Sequence, residues 1–230
     1  MLEFREDIDE TVSEVSVLMH RVADGLRQKR VDYKTNPQAG AALIAFRLGF
    51  EYFITSRDAL MKDLVISGGA CLRTGLENVI DLLYVYSNPG KYTEPYVLSM
   101  SKFDEVMRQA AVKDFSEVIK SRELKQANKW TGASIEDRLM ASGDSLTTVY
   151  DLLSYFGHPN PGALNWTTSP GRLQGQLNLL KQSNCMNAFV LMAMVQNFSD
   201  SDEVSFEEIN LLAQKIGFSF EFDEHGNLQL

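Results

Sequence analysis

The stretch from Ala41 to Ile54, AALIAFRLGFEYFI, decides the fold, because it is apolar on nearly every side of the helix that it predicts. Asn36 and Pro37 stand just ahead of it, and these residue types suit the N-cap and the first position of a helix. A helix that is apolar on most sides must be covered by other helices. The stretch therefore predicts the central helix of a bundle.

The segments on both sides of this stretch also follow helical patterns. Residues 6–30 place apolar side chains at steps of three and four, which indicates an amphipathic helix. Its predicted apolar face consists of Ile8, Val12, Val15, Leu18, Met19, Val22 and Leu26. A third helix is predicted over residues 56–86, beginning near Ser56. The triplet Ser67-Gly68-Gly69 lies in its middle and predicts a kink or a split into two helices.

The remaining chain predicts further helices and a different C-terminal end. The predicted helices cover residues 93–130, with a break near Val112, and residues 134–143, 146–156, 177–198 and 206–216. Ser134 to Asp137 resemble a capping box at the start of the helix 134–143. Prolines and glycines predict a loop over residues 159–175, and alternation around Phe218 to Phe222 predicts a hairpin. We predict an all-α fold, a multi-helix bundle with a small C-terminal β-hairpin. Residues 1–200 would form the bundle, and residues 201–230 a helix and hairpin appended to it.

Charge and apolar patterning limit the compartment and the classes of partner. The net charge of −9 works against broad binding of DNA, although it leaves room for a local RNA site. Cys71 and Cys185 lie in apolar runs, which predicts free thiols rather than a disulfide. The acidic N-terminus lacks the apolar core of a signal peptide, and no apolar run reaches the ~20 residues of a membrane span. We expect a cytoplasmic protein that does not bind membranes.

The residue types that hold metals or cofactors do not cluster in this sequence. His20, His158 and His225 are far apart, and none belongs to a zinc-binding spacing. The chain also lacks a glycine-rich phosphate loop and a nucleophile elbow. We therefore expect no metal, no cofactor and no catalytic residue of a recognisable type.

Two helical segments carry the same pattern twenty-six residues apart. The first contains Arg47, Gly49 and Glu51, and the second contains Arg73, Gly75 and Glu77. Arginine and glutamate four residues apart share a helix face and can pair, while the glycine between them lets another helix approach. One interpretation is two buried or half-buried ion pairs that tie neighbouring helices together. A hairpin at Ser56 would leave the two copies out of register.

In the second copy the polar stripe continues to Asp81, which gives Arg73, Glu77 and Asp81 on one face of an apolar helix. Such a stripe faces either water or an internal cleft. A second polar site is predicted at the end of the helix 146–156, where the sequence YDLLSYFGHPNP presents His158 and Asn160. His158 can be an ordinary helix-stop residue or a functional imidazole. If both places meet, Arg73, Glu77, Asp81, His158 and Asn160 form one binding site.

These residues resemble motifs of a group of uncharacterised bacterial helical proteins. The group has a Leu-Arg-x-x-Leu-Glu helix followed by Leu-Leu-Tyr, and here Leu72 to Glu77 and Leu82 to Tyr84 match it. Its downstream Tyr-x-x-Leu-Ser-x-x-x-His-Pro element matches Tyr150 to Pro159. More distantly, the chain resembles the HEPN superfamily, whose active members are metal-independent ribonucleases of toxin and phage-defence systems. Those members carry Arg-x-x-x-x-His on one helix, whereas Leu153 stands five residues before His158 here.

Three hypotheses about function follow. The first is a non-catalytic protein that binds a small polar ligand or a partner through the Arg/Glu/Asp/His cleft. The second, which the resemblance implies, is an HEPN-like RNase or phage-defence toxin component, in which Arg73 and His158 would have to meet from different helices. The third is a structural module that forms a homodimer through its apolar helices.

Overall fold

The computed structural model describes residues 8–28, 35–110, 130–142, 144–157, 170–198, 203–218, 221–222 and 228–229. These residues form helices that run in chain order as α1 (Ile8–Gln28), α2 (Pro37–Leu60), α3 (Val65–Ser87), α4 (Pro89–Ala110), α5 (Ile135–Ser142), α6 (Asp144–Gly157), α7 (Pro170–Phe198) and α8 (Phe206–Lys215). Two short strands follow, β1 (Glu221–Phe222) and β2 (Leu228–Gln229). The predicted all-helical bundle is therefore confirmed.

The first two helices follow the sequence pattern closely. All seven side chains of the predicted apolar face of α1 are buried in the main core. Asn36 caps α2, because its side-chain oxygen accepts a hydrogen bond of 3.1 Å from the Ala39 N–H, and Pro37 occupies the first helical position. Helix α2 packs against α3 and α7, so the central position predicted for it is confirmed.

The boundary between α2 and α3 differs from the prediction. Helix α2 continues through Ser56 to Leu60, and the chain turns at residues 61–64, where Asp63 has a φ of 58°. Ser56 is buried inside α2, and its hydroxyl donates to the Gly68 carbonyl across the α2–α3 interface at 3.0 Å. A serine that resembles a helix start by sequence is thus an interhelical contact. The predicted start of the third helix near Ser56 is wrong.

The glycine pair does not kink or split α3, so that prediction is also wrong. Helix α3 begins at Val65, which places Gly68 and Gly69 in its first turns rather than in its middle. A Cβ atom at Gly68 would lie 2.6 Å from Leu60 Cδ2, and one at Gly69 would lie 2.7 Å from Phe156 Cγ. The two glycines allow α2 and α6 to approach the start of α3 closely.

The described residues contain a helix in each of the later predicted segments, but each of these helices begins or ends at a different residue than predicted. Ser134 and Asp137 form the predicted cap of α5, since the Ser134 hydroxyl accepts from the Asp137 N–H and the Asp137 carboxylate accepts from the Ser134 N–H. Helix α7 begins at Pro170, inside the stretch predicted as loop, because proline suits the first helical position. Leu173 packs against the core from this added segment, which offsets the cost of its glycines. The predicted break near Val112 lies outside the described residues.

The core consists of two apolar clusters that share α3. The larger one joins α1, α2 and α7 and includes Ile209, Ala213 and Ile216 of the α8 region. The smaller one joins the end of α2 and the part of α3 from Val65 to Ile80 to α5, α6 and α7. Both cysteines are free, as predicted, and burial raises the pKa of Cys185 to about 12. None of the helices among the described residues is long and apolar enough to cross a membrane.

The C-terminal end contains a minimal antiparallel pairing, of Glu221 with Gln229 and of Phe222 with Leu228. Two residues in each strand do not make a stable sheet by themselves, and the connecting residues 223–227 lie outside the described part. The hairpin as a structural unit therefore stays a prediction. The division of the chain into a bundle and an appended segment at residue 200 also stays a prediction. Helix α8, which follows residue 200, packs against α1 and α7 of the bundle.

Candidate functional site

The polar stripe of α3 faces two neighbouring helices rather than open water. Helix α6 covers it at Arg73 and Glu77, and α5 covers it at Asp81. Arg73 and Glu77 pair as predicted, with 3.3 Å between Nη2 and Oε1. The Arg73 side chain is 18% exposed and that of Glu77 is 38% exposed, so the carboxylate is the more accessible partner.

Tyr150 of α6 connects the two charged groups of this pair. Its hydroxyl accepts a hydrogen bond of 2.9 Å from Arg73 Nη2 and donates one of 3.2 Å to Glu77 Oε1. The guanidinium also lies 5.2 Å from the centre of the Tyr150 ring, within the range of a cation–π contact. The hydrogen bond to Tyr150 raises the pKa of Arg73. The guanidinium and the carboxylate are thus both held in place from a second helix.

Asp81 pairs with Arg138 of α5 through Oδ1 and Nη1. Both side chains are about one-fifth exposed, at 21% and 19%. Burial raises the pKa of Asp81 to about 6, although Arg138 opposes this rise; the negative charge of Glu77 adds to it. Tyr96 of α4 lies close enough for Asp81 to raise its pKa, in addition to the larger effect of burial. Asp81 therefore carries its charge at neutral pH at a cost in stability.

This cost predicts an unusual pH dependence. An aspartate with a folded pKa of about 6 binds protons more tightly in the folded state, so its contribution to stability grows as the pH falls from 7 to 5. For an unfolded pKa near 3.8 the gain is about 1 kcal/mol. Asp81→Asn should lack this gain. Urea unfolding of both proteins at pH 7 and pH 5 checks it, and identical pH dependence in the two would contradict it.

The two copies of the repeated pattern lie side by side. Asn78 of α3 donates to the Ala45 carbonyl of α2 at 2.7 Å, which together with the Ser56–Gly68 contact fixes the antiparallel register of the two helices. Gly49 and Gly75 lie between these two contacts; Gly75 faces Tyr52 of α2, and Gly49 faces Leu191 of α7 and Asn78 of α3. The prediction that the copies are out of register is wrong, because the turn lies at residues 61–64 rather than at Ser56.

The two copies nevertheless have different surroundings. Arg47 and Glu51 are exposed on the surface of α2, so the first copy is not a buried ion pair. In the second copy Arg73 and Glu77 are partly buried against α6. Glycine has the predicted role in both copies, since a Cβ atom at Gly49 would overlap Leu191 of α7 and one at Gly75 would lie 3.2 Å from Tyr52 Cβ of α2.

His158 and Asn160, the other two predicted site residues, lie outside the described residues. The last turn of the helix that precedes them is described. Phe156 packs against Gly69, which is one helical turn before Arg73 on α3. Tyr150 contacts Arg73 and Glu77 farther along the same interface, so α6 runs antiparallel to α3. The end of α6 therefore lies beside the start of α3.

Sequence reasoning missed the two residues that complete the polar network, Tyr150 and Arg138. In the sequence, Tyr150 is noticeable only as the first residue of the Tyr-x-x-Leu-Ser-x-x-x-His-Pro element, and Arg138 only as a residue in the first turns of a capped helix. Helical periodicity does not identify either residue as a partner of α3. Sequence reasoning also missed an aromatic cluster near Asp81. Trp130 contacts three tyrosine rings edge-on, with centroid distances of 6.0, 6.3 and 5.2 Å to Tyr84, Tyr92 and Tyr96.

Neither a metal-binding cluster among the described residues nor a known relative indicates what this site binds. Within the described ranges, no group of three histidine, cysteine, aspartate or glutamate side chains could hold a metal ion. Comparisons with protein-family models, with curated proteins and with solved structures find no match to this chain. The resemblance to HEPN proteins is therefore untested and stays a prediction.

Proposed function

We propose that this protein binds a small polar ligand, without catalysis, at a site formed by Arg73, Glu77 and Asp81 of α3 together with His158 and Asn160. The observation that carries the proposal is the contact of Tyr150 with both Arg73 and Glu77. This contact from α6 fixes two charged groups of α3 while the Glu77 side chain stays 38% exposed. Polar groups that are oriented before binding lose less entropy when a ligand arrives.

The charges of the network favour a particular class of ligand. Each of its two ion pairs, Arg73–Glu77 and Asp81–Arg138, combines one positive and one negative group. A balanced site of this kind does not attract polyanions, and its most exposed group is a carboxylate acceptor. We therefore expect an uncharged or zwitterionic molecule that donates an N–H or O–H hydrogen bond to Glu77.

Glu77→Gln is the substitution that separates ligand binding from folding. Glutamine keeps the size of the side chain and removes the charge, so the fold should persist while ligand affinity falls at least tenfold, or about 1.4 kcal/mol. The measurement is the shift in melting temperature of each protein with a panel of free amino acids, polyols and simple amides. At least one compound should raise the melting temperature of the wild type and not that of Glu77→Gln.

The first copy of the repeat supplies the matched control. Glu51 stands at the position that corresponds to Glu77, but it is exposed on α2. Glu51→Gln should respond to the panel as the wild type does. A wild type that responds to no compound in the panel, or a Glu51→Gln variant that loses the response as fully as Glu77→Gln, would contradict the proposal.

A second candidate function is an HEPN-like, metal-independent RNase or phage-defence toxin component. One observation favours it: Phe156 packs one turn away from Arg73, and His158 follows Phe156 by two residues in the chain. The Glu77 carboxylate that pairs with Arg73 argues against phosphate binding there. RNA cleavage by the purified protein that is abolished in His158→Ala would support this candidate, and intact RNA with both proteins would exclude it.

The proposed location is the cytoplasm. The free state of Cys71 and Cys185 fits a reducing compartment, where disulfides seldom persist. The proposal includes no metal and no cofactor.

A further inference from the structure

A shallow groove with an apolar floor lies between α1 and α8, on elements that take no part in the polar network. It has a volume of about 340 Å³ and is lined by Glu14, Val17, Leu18, Arg21, Glu208, Leu211 and Leu212. Val17 and Leu211 are 71% and 63% exposed, which is high for large apolar side chains. Val17 also lies off the apolar face with which α1 covers the core. The fold itself therefore does not explain why these two residues are apolar.

An ion pair between α1 and α8 lies at each end of the groove. At one end Glu14 accepts from Lys215 Nζ at 2.6 Å, and at the other Arg21 Nη2 donates to Glu208 at 2.6 Å. The acid belongs to α1 at the first end and to α8 at the second. The four charges thus alternate in sign around the apolar centre and sum to zero.

We propose that this groove binds the same groove of a second copy of the chain. A twofold axis in the plane of the surface can lie across the helices or along them. An axis across the helices places Glu14 of one copy opposite Arg21 of the other, and Lys215 of one copy opposite Glu208 of the other. An axis along the helices places Glu14 of one copy opposite Lys215 of the other, and Arg21 of one copy opposite Glu208 of the other. Both arrangements bring opposite charges together and bury the exposed valine and leucine, so the surface is complementary to itself.

The overall charge of the chain favours association through a face whose own charges balance. Two copies with a net charge of −9 repel each other in general, whereas the groove presents balanced charge around apolar side chains. Stable dimers bury about 800 Å² on each partner, more than a groove with seven lining residues offers. The dimer should therefore be weak and dependent on concentration.

Sedimentation velocity of the full chain from about 5 to 500 µM, a range that covers weak association, tests the proposal. The wild type should shift from monomer to dimer within this range. Val17→Asp and Leu211→Asp should remain monomeric throughout, because each places a charge in the apolar centre. Arg21→Glu should also weaken the dimer at least tenfold, because it puts like charges opposite each other for either twofold axis.

Met140→Asp is the matched control, since Met140 is 75% exposed on α5, which packs against α3 and α6 rather than α1 or α8. It should form dimers as readily as the wild type. A circular dichroism spectrum of each variant establishes that its helices are intact. The proposal is overturned if the wild type stays monomeric at every concentration. It is also overturned if Val17→Asp, Leu211→Asp and Arg21→Glu form dimers like the wild type.

Discussion

Phe156→Ala is expected to lower the free energy of unfolding by about 4 kcal/mol, the largest loss that we predict. Phe156 is 4% exposed and belongs to the smaller core cluster, where its ring lies against Gly69. Removing a buried phenyl ring loses its transfer free energy and leaves a cavity that the surrounding helices fill only in part. The loss should also free the end of α6 from α3, so the ligand response of the site should disappear with it.

Urea unfolding followed by circular dichroism measures this loss. Tyr155→Ala is the matched control, because Tyr155 is the adjacent residue and is 52% exposed. It should cost less than about 1 kcal/mol, as surface substitutions do. Equal losses for the two variants would show that the ring of Phe156 is not packed against α3 as described.

Gly69→Ala is expected to cost about 2 kcal/mol, although alanine is the better helix former. The added methyl group would lie 2.7 Å from Phe156 Cγ and 2.8 Å from Phe156 Cβ. Contact this close to the base of a side chain forces α6 to shift, and overpacking of that kind costs about 1–3 kcal/mol. The gain of about 0.5–1 kcal/mol in helix propensity offsets part of the loss.

Gly90→Ala is the control for this second prediction. Gly90 lies in the first turn of α4, and a Cβ atom there would have no neighbour within 4 Å. The substitution should leave the free energy of unfolding unchanged or raise it by up to about 1 kcal/mol. If Gly69→Ala also proves neutral or stabilising, the close approach of α6 to the start of α3 is wrong.

The parts of the fold that depend on local chemistry could be predicted from the sequence. The apolar face of α1, the cap at Asn36 and the cap at Ser134 each follow from a few neighbouring residues. The end of α2 could not be predicted in this way. Ser56 has the residue type of a helix start, and only its partner Gly68, twelve residues away, shows why it is buried inside the helix.

The same distinction holds for the candidate site. The spacing of Arg73, Glu77 and Asp81 placed them correctly on one face of a helix. Tyr150 follows its partner Arg73 by 77 residues, and Arg138 follows its partner Asp81 by 57 residues. Helical periodicity carries no information about pairs so far apart in the chain. The two copies of the Arg-Gly-Glu pattern are equally good by sequence, yet only the second lies beneath α6.

The double substitution of Gly69 and Phe156 tests most directly whether the end of α6 meets α3 beside Arg73. With the phenyl ring removed, the contacts of the Gly69→Ala methyl group with Cγ and Cδ2 are gone and only the contact with Cβ of residue 156 remains, so a smaller shift of α6 relieves the overlap. Gly69→Ala should therefore destabilise the Phe156→Ala protein by at least about 1 kcal/mol less than it destabilises the wild type, where the cost is about 2 kcal/mol. A loss of about 2 kcal/mol in both backgrounds would mean that the two residues do not touch, and the site would lose its basis.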